Sequence, residues 1–290
     1  MSAASCNLAP VERYVPPSPA RIQALLSLPR AYFRPEFLGL EALDLGKPAL
    51  WVGNHTLYGL LDVPLMISHL YSRYGVLPRA LGDRGHFSVP GWGSMLARGG
   101  MVLGTPENCA ALMRSGAHVL VFPGGGREVM RRKGEAYQLI WKRRTGFARM
   151  AMEHGYDIIP FGSLGPEESF DILLDANDVM ASRLWRWLKE RLPLERLTRD
   201  GDMIPPLARG LGPTLLPRPQ RFYFGFGERI STLELQGSAA DPNALWALRE
   251  QVAVAIEAEL ARLREYRSMD KPASWSRLRR WLTTTQEAKT

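Results

Sequence analysis

Four short, almost wholly apolar runs constrain this chain more than any other feature: ALWVG at 49–53, HVLVF at 118–122, DIIPFG at 157–162 and RFYFGFG at 221–227. Each is too short for an independent helix and is bounded by glycine or polar turn residues. Each therefore reads as a buried strand. Between them the apolar spacing changes to a helical period, over Leu60–Tyr74, Thr105–Ser115, Tyr137–His154 and Asn243–Arg267. Residues 79–104, with seven glycines, read as a strand, a tight loop, a helix and another strand. Ala20–Phe33 reads as a short amphipathic helix behind a proline-bearing leader. Strands alternating with helices predict an α/β fold, with a largely parallel central sheet flanked by helices.

The composition supports a sizeable core: 290 residues, 46% hydrophobic and 23% charged, suit one large domain or two small ones. The formal net charge of +8 is compatible with nucleic acid, an anionic membrane or an acidic small molecule. Interleaved aromatics and a contiguous basic face are not evident, so nucleic acid is not an expected partner. No run of about 18 uninterrupted apolar residues occurs, so no transmembrane helix is expected. The N-terminus MSAASCNLAPVERYV lacks the basic start and apolar run of a secretory signal. The expected location is cytoplasmic, with membrane contact peripheral and on the inner face. Cys6 and Cys109 are expected to be reduced thiols.

Two segments set tryptophan and leucine beside arginine, a combination that suits a headgroup boundary. In MASRLWRWLKERL, Leu184, Trp185, Leu188 and Leu192 share a helical stripe; in SWSRLRRWL, Trp275, Leu278, Trp281 and Leu282 do. The plain alternative is packing of those tryptophans against the domain.

The motifs of several enzyme classes are missing: no G-x-S-x-G elbow, no phosphate loop ending in Gly-Lys-Ser/Thr, no G-x-G-x-x-G, no H-E-x-x-H and no paired C-x-x-C. No metal or cofactor is expected. Two positive signals stand out. Asn54-His55 follows the run LWVG directly, and strand ends are where α/β sheets bind ligands. A histidine there can take a proton from an attacking hydroxyl, with Asp62 the nearest downstream carboxylate to orient it. The second signal is VFPGGGRE, where Gly124, Gly125 and Gly126 let backbone N–H groups approach a phosphate or an oxyanion, beside the cation Arg127. Each has a bland reading, a structural histidine in a turn and a plain glycine turn.

Taken in order, these segments resemble the glycerolipid acyltransferase family, which includes the lysophosphatidate acyltransferases, over roughly residues 34–230. VGNHTLYGLLD resembles the family's histidine motif of His, four residues and Asp. GDRGHFSVPGWGSMLARGGMVLG resembles its glycine-rich second motif, FPGGGRE its Phe-Pro-Glu-Gly-Thr-Arg, and DIIPFG its fourth. The run from RKGEAYQLIW to IIPFG is similar to the subgroup of diacylglycerol and phytol-ester acyltransferases and their bacterial relatives. The resemblance implies a single catalytic domain over residues 34–267, between a leader with its helix at 1–33 and a basic amphipathic tail at 268–290.

It further implies direct transfer of a fatty acyl group from acyl-CoA or an acyl carrier protein to a lipid hydroxyl. His55 would be the base and Asp62 its partner; Asn54 and Gly124–Gly126 would be oxyanion donors, and Arg127 and Arg84 anion contacts. His86 is read as structural in preference to ligand-binding, and His69, His118 and His154 as structural or surface groups. Two departures qualify the match. Asp62 lies seven positions after His55 and not five, so one regular helix would set the two about 10 Å apart along its axis. A loop over Thr56–Gly59 is therefore required. Gly125 is read as the position where the family carries Glu, which leans towards a neutral acceptor such as diacylglycerol. The rival expectations are a lysophosphatidate acyltransferase and a non-catalytic membrane-binding protein on the same scaffold.

Overall fold

A computed structural model describes residues 14–88, 91–192 and 198–270. The segment SWSRLRRWL and Cys6 lie outside the described residues.

Two short helices, α1 (Pro19–Leu25) and α2 (Ser27–Phe33), precede strand β1 (Glu36–Leu38). The central α/β run is β2 (Leu50–Gly53), α3 (Val63–Tyr74), β3 (Arg79–Gly82), α4 (Arg84–Ser88), α5 (Trp92–Arg98), β4 (Val102–Leu103), α6 (Pro106–Arg114), β5 (Val119–Val121), α7 (Gly126–Val129), α8 (Gly146–His154) and β6 (Ile158–Leu164). An excursion follows, built of β7 (Asp171–Leu174), α9 (Ala176–Ala181), α10 (Arg183–Lys189) and β8 (Leu207–Arg209). The chain closes with β9 (Tyr223–Phe226) and the long α11 (Pro242–Met269).

Among the described residues, seven strands form one sheet in the order β1-β9-β6-β2-β5-β3-β4. The five from β6 to β4 are mutually parallel; β9 runs antiparallel to β6, and β1 pairs parallel with β9. This is the largely parallel sheet the apolar runs predict, with its two reversed strands confined to one edge. Strands β7 and β8 form a separate antiparallel pair.

Alternation along β2 shows how the sheet is covered. Leu50 and Val52 face one core, with α6, α8 and α11, while Trp51 faces the other, with α2 and α3. Helix α11 buries Leu245, Leu248, Val252, Ile256, Leu260 and Leu263, spaced by three or four residues along one face. Its start is fixed by Asp241, whose side chain accepts the Asn243 N–H, and by Pro242. Leu260 packs at this interface, 1% exposed. Leu260→Ala is expected to cost about 2–5 kcal/mol, read as a lower urea midpoint at unchanged slope.

Three sequence expectations shift. The helix expected over Tyr137–His154 begins only at Gly146, because residues 137–145 are drawn into a polar loop described below. The single helix at 20–33 is two helices, and α1 buries none of its residues. The helix expected from Leu60 starts at Val63, after a tight turn. None of the described helices is long and apolar enough to cross a membrane.

Candidate active site

Strand β2 ends at Gly53 and delivers Asn54, His55 and Thr56 to the carboxyl edge of the parallel strands. Asn54 is locked across to the end of β6: its Nδ2 donates to the Ser163 carbonyl at 3.0 Å, and the Ser163 N–H donates to its Oδ1 at 2.8 Å. Both groups of the amide are thereby used, and Asn54 serves as a clamp between strands.

After Thr56 the chain turns sharply through Leu57–Gly59, where Tyr58 and Gly59 both have φ of 61°. A left-handed backbone suits glycine but costs a tyrosine about 1 kcal/mol. Tyr58 is held nonetheless, by donation of its hydroxyl to the Pro206 carbonyl at 2.8 Å and by edge-on packing against Phe170. Glycine at 59 has a second reason, since a Cβ there would overlap the His55 ring. This turn absorbs the two residues by which the His–Asp spacing exceeds the family pattern.

The turn brings Asp62 back, but to Thr56 and not to His55. Asp62 is 2% exposed; Thr56 Oγ1 donates to its Oδ1 at 3.0 Å and Ser163 Oγ to its Oδ2 at 2.6 Å. His55 Nδ1 is buried with no hydrogen-bond partner. The expectation that Asp62 orients the imidazole is therefore corrected in this structure: the carboxylate ties the turn to β6. Burial raises its pKa, against the two hydroxyl hydrogen bonds that lower it. A carboxylate that holds a catalytic imidazole in its tautomer is worth about 10⁴ in rate. Here Asp62→Asn is expected to keep kcat within about tenfold, because either hydroxyl can reverse its hydrogen bond to an amide. Asp62→Ala, which strands both hydroxyls, is expected to lower stability by about 1–3 kcal/mol. A 10⁴-fold loss in the Asn variant, with its melting point intact, would contradict this assignment.

His55 is gripped by the glycine loop instead. Its ring stacks on Phe122, centroids 4.0 Å apart and planes at 16°. Its backbone N–H donates to Glu128 Oε2 at 3.3 Å, and its carbonyl accepts from Arg131 Nη2 at 2.8 Å. Burial, with Arg131 and His86 nearby, lowers the His55 pKa to about 3, so the ring is neutral throughout the physiological range. His86, read from sequence as structural, is thus close enough to act on His55; its Nδ1 accepts the Trp92 indole N–H at 3.2 Å.

Glu128 and Arg131 were not legible as site residues. Glu128 is fully buried; besides His55 it accepts the Ile140 N–H at 2.9 Å, and burial lifts its carboxyl to about 7. Arg131, 1% exposed, pairs with Glu167 at 2.5 Å and donates to the carbonyls of Glu135 and Gln138. These contacts hold residues 135–140 in an irregular loop.

Arg127 lies elsewhere than expected. It is 6% exposed, bonded through two nitrogens to Glu135 at 2.9 and 2.5 Å and paired with Asp202 at 3.4 Å. Its charge is thus already matched by carboxylates, and it fastens the glycine loop to the excursion. The Gly125 N–H is likewise engaged, on the Phe122 carbonyl at 3.0 Å, while Arg144 donates to the carbonyls of Pro123 and Gly124. A Cβ at Gly126 would press on the Met203 sulfur. Arg84 opens α4 on an exposed surface, two residues before His86. His118 accepts the buried Trp51 indole N–H and His69 stacks on Phe37, both as structural groups would. Cys109 is a buried free thiol, its pKa pushed up to about 11.

The order of these parts along the chain has counterparts in known proteins. The sequence profile of the family described as Acyltransferase matches residues 34–163. Phytyl ester synthase 2, chloroplastic, of Arabidopsis thaliana is 31% identical over 251 residues, 80% of this chain and 34% of that protein. The DGAT1/2-independent enzyme synthesizing storage lipids of Homo sapiens is 28% identical over 181 residues, 59% of this chain and 53% of that protein. The chain thus spans about a third of the plant relative and about half of the human one. A solved structure, the 1-acyl-sn-glycerophosphate (LPA) acyltransferase PlsC of Thermotoga maritima, aligns with a TM-score of 0.44 at 14% identity, covering 89% of this chain and 81% of that one. With the histidine turn, the glycine-rich segment, the FPGGGRE loop and the DIIPFG strand in the family's order, the chain is similar to the glycerolipid acyltransferases, and its residues 34–163 match the Acyltransferase family.

Proposed function

We propose that the protein is an O-acyltransferase that moves a fatty acyl group from acyl-CoA or an acyl carrier protein to the hydroxyl of a neutral lipid alcohol, such as diacylglycerol or a long-chain alcohol, at a membrane surface. The observation that carries this reading is the imidazole of His55, stacked on Phe122 and held on both sides of its peptide at the carboxyl end of β2. The acceptor O–H gives its proton to His55 as its oxygen attacks the thioester carbonyl. When the tetrahedral intermediate collapses, the C–S bond breaks and the thiolate takes the proton back from the imidazolium. No covalent enzyme intermediate, metal or cofactor is invoked. The backbone N–H groups of Gly124 and Gly126 are the proposed oxyanion donors, since those of Gly125 and His55 are engaged on Phe122 and Glu128.

A neutral acceptor is favoured over lysophosphatidate because Arg127, the loop's cation, is matched by Glu135 and Asp202. The named activities of the plant and human relatives, phytyl ester synthesis and storage-lipid synthesis, point the same way. The membrane reading rests on α10, where Leu184 and Trp187, 65% and 51% exposed, are interspersed with Arg183, Arg186 and Lys189. Turnover of diacylglycerol and phytol is expected to exceed that of lysophosphatidate at matched concentration; a preference for lysophosphatidate would overturn the acceptor assignment.

The depressed pKa of His55 gives a pH signature. Below about 6.5 an unfolded chain binds a proton that the folded ring refuses, so stability falls as pH drops from about 6.5 towards 3. The limiting slope for one such group is about 1.4 kcal/mol per pH unit. His55→Ala is expected to flatten the acid fall in melting temperature, compared with wild type between pH 6.5 and 4.5. Parallel curves for the two proteins would show that the ring titrates normally.

A further inference from the structure

The reading of Gly125 as the position of the family's Glu is corrected: counted from the shared Phe122-Pro123, that position is Gly124, and Gly125 matches the motif's glycine. Gly124 has no left-handed φ, so its backbone would accept a side chain. The space for one is taken: a Cβ built at Gly124 would overlap the Glu128 carboxyl group, which would have to leave its hydrogen bonds. That carboxyl enters from α7, four residues further along, and holds the N–H groups of His55 and Ile140.

We infer that Glu128 is the positioning carboxylate of the His55 turn, occupying the volume that a side chain at position 124 would fill, so that Gly124 and Glu128 form one coupled choice. The inference rests on the proposed role of His55. Its physical content is that the site needs one buried carboxylate on the His55 N–H, delivered from either of two positions. Two carboxylates cannot share that volume, since like charges in one buried site repel and the atoms overlap. With no carboxylate there, the His55 N–H lacks its acceptor and the ring is free to shift on Phe122. A shift of about 1 Å in a catalytic group can cost about 10²-fold in rate.

The test is a double-variant cycle on the full chain, with kcat, KM and melting temperature measured for each protein. Glu128→Ala is expected to lower kcat by about 10–100-fold with KM little changed, since the carboxylate touches His55 and not substrate. Gly124→Asp and Gly124→Glu alone are expected to lower both kcat and melting temperature. Combining either with Glu128→Ala is expected to raise kcat at least about tenfold over Glu128→Ala and to restore the melting temperature. A double variant no better than the poorer single variant in both readouts, or Glu128→Ala with full kcat, overturns the inference. Absence of thioester consumption by wild type would instead overturn the proposed function. The recovery of melting temperature in the double variants would then still decide whether the carboxylate is interchangeable.

Discussion

His55→Ala is expected to lower kcat for acceptor-dependent thioester consumption by about 10²–10⁴-fold, the range that positioned proton transfer supplies. KM should change little, because the ring's contribution grows only as the acceptor oxygen gains charge. The fold should survive. The side chain makes no hydrogen bond through Nδ1, its chief contact is the Phe122 face, and the backbone anchors to Glu128 and Arg131 remain. A smaller effect is expected from His86→Ala, since His86 acts on His55 without holding its peptide. Loss of activity in His86→Ala together with retention in His55→Ala would move the base to α4.

The second large effect concerns Arg131. Its guanidinium is enclosed and serves four acceptors: Glu167 and the carbonyls of His55, Glu135 and Gln138. Arg131→Met leaves the buried Glu167 without its cation and removes the Arg131 hydrogen bond from three carbonyls, of which that of Glu135 keeps the Gln138 N–H. Burial lifts the Glu167 carboxyl to about 8, so it protonates when its cation goes. The loss is expected near the lower end of the about 3–5 kcal/mol of a broken buried pair, a fall of about 5 °C in melting temperature. Removing both charges, as Arg131→Met with Glu167→Leu, is expected to recover part of that loss, because no buried carboxyl is then left alone. Activity should remain low in the double variant, because the His55 carbonyl still lacks its anchor. Arg131→Met within about 1 kcal/mol of wild type would show that the network does not support the site.

The sheet was legible because its central strands are buried on both faces, which leaves uninterrupted apolar runs such as LWVG and IIPFG. Strands β1, β7 and β8 left no such trace. They are short and partly exposed at edges, so nothing in EFL or DILL separates them from loop. Helical spacing over Tyr137–Ile140 was misleading for a physical reason. Arg131 and Glu128 capture the backbone groups of residues 135–140, and Tyr137 and Lys142 take left-handed φ angles, so tertiary polar contacts override the apolar period.

At the site, the placement of His55 just after β2 and the need for a loop before Asp62 could be read from the sequence. The partners of that loop could not. Asp62 meets Thr56 and Ser163 because Tyr58 and Gly59 turn the chain more tightly than their sequence alone announces. Arg127 looked available as a cation because Asp202, one of its two partners, is 75 residues away, and because a helical reading of residues 137–154 hides the loop that brings Glu135 back to it. A signal for Glu128 was present: a glycine replaces the family's Glu, and a new Glu stands four residues on.

The central claim is acyl transfer to a neutral hydroxyl. Its most direct test is to incubate purified protein with isotope-labelled palmitoyl-CoA and detergent-dispersed diacylglycerol or phytol, then identify the labelled product by mass spectrometry. The account predicts a labelled ester of the alcohol, formed in step with free thiol and absent with His55→Ala. Label confined to free palmitate, or an equal yield of ester from His55→Ala, would contradict it.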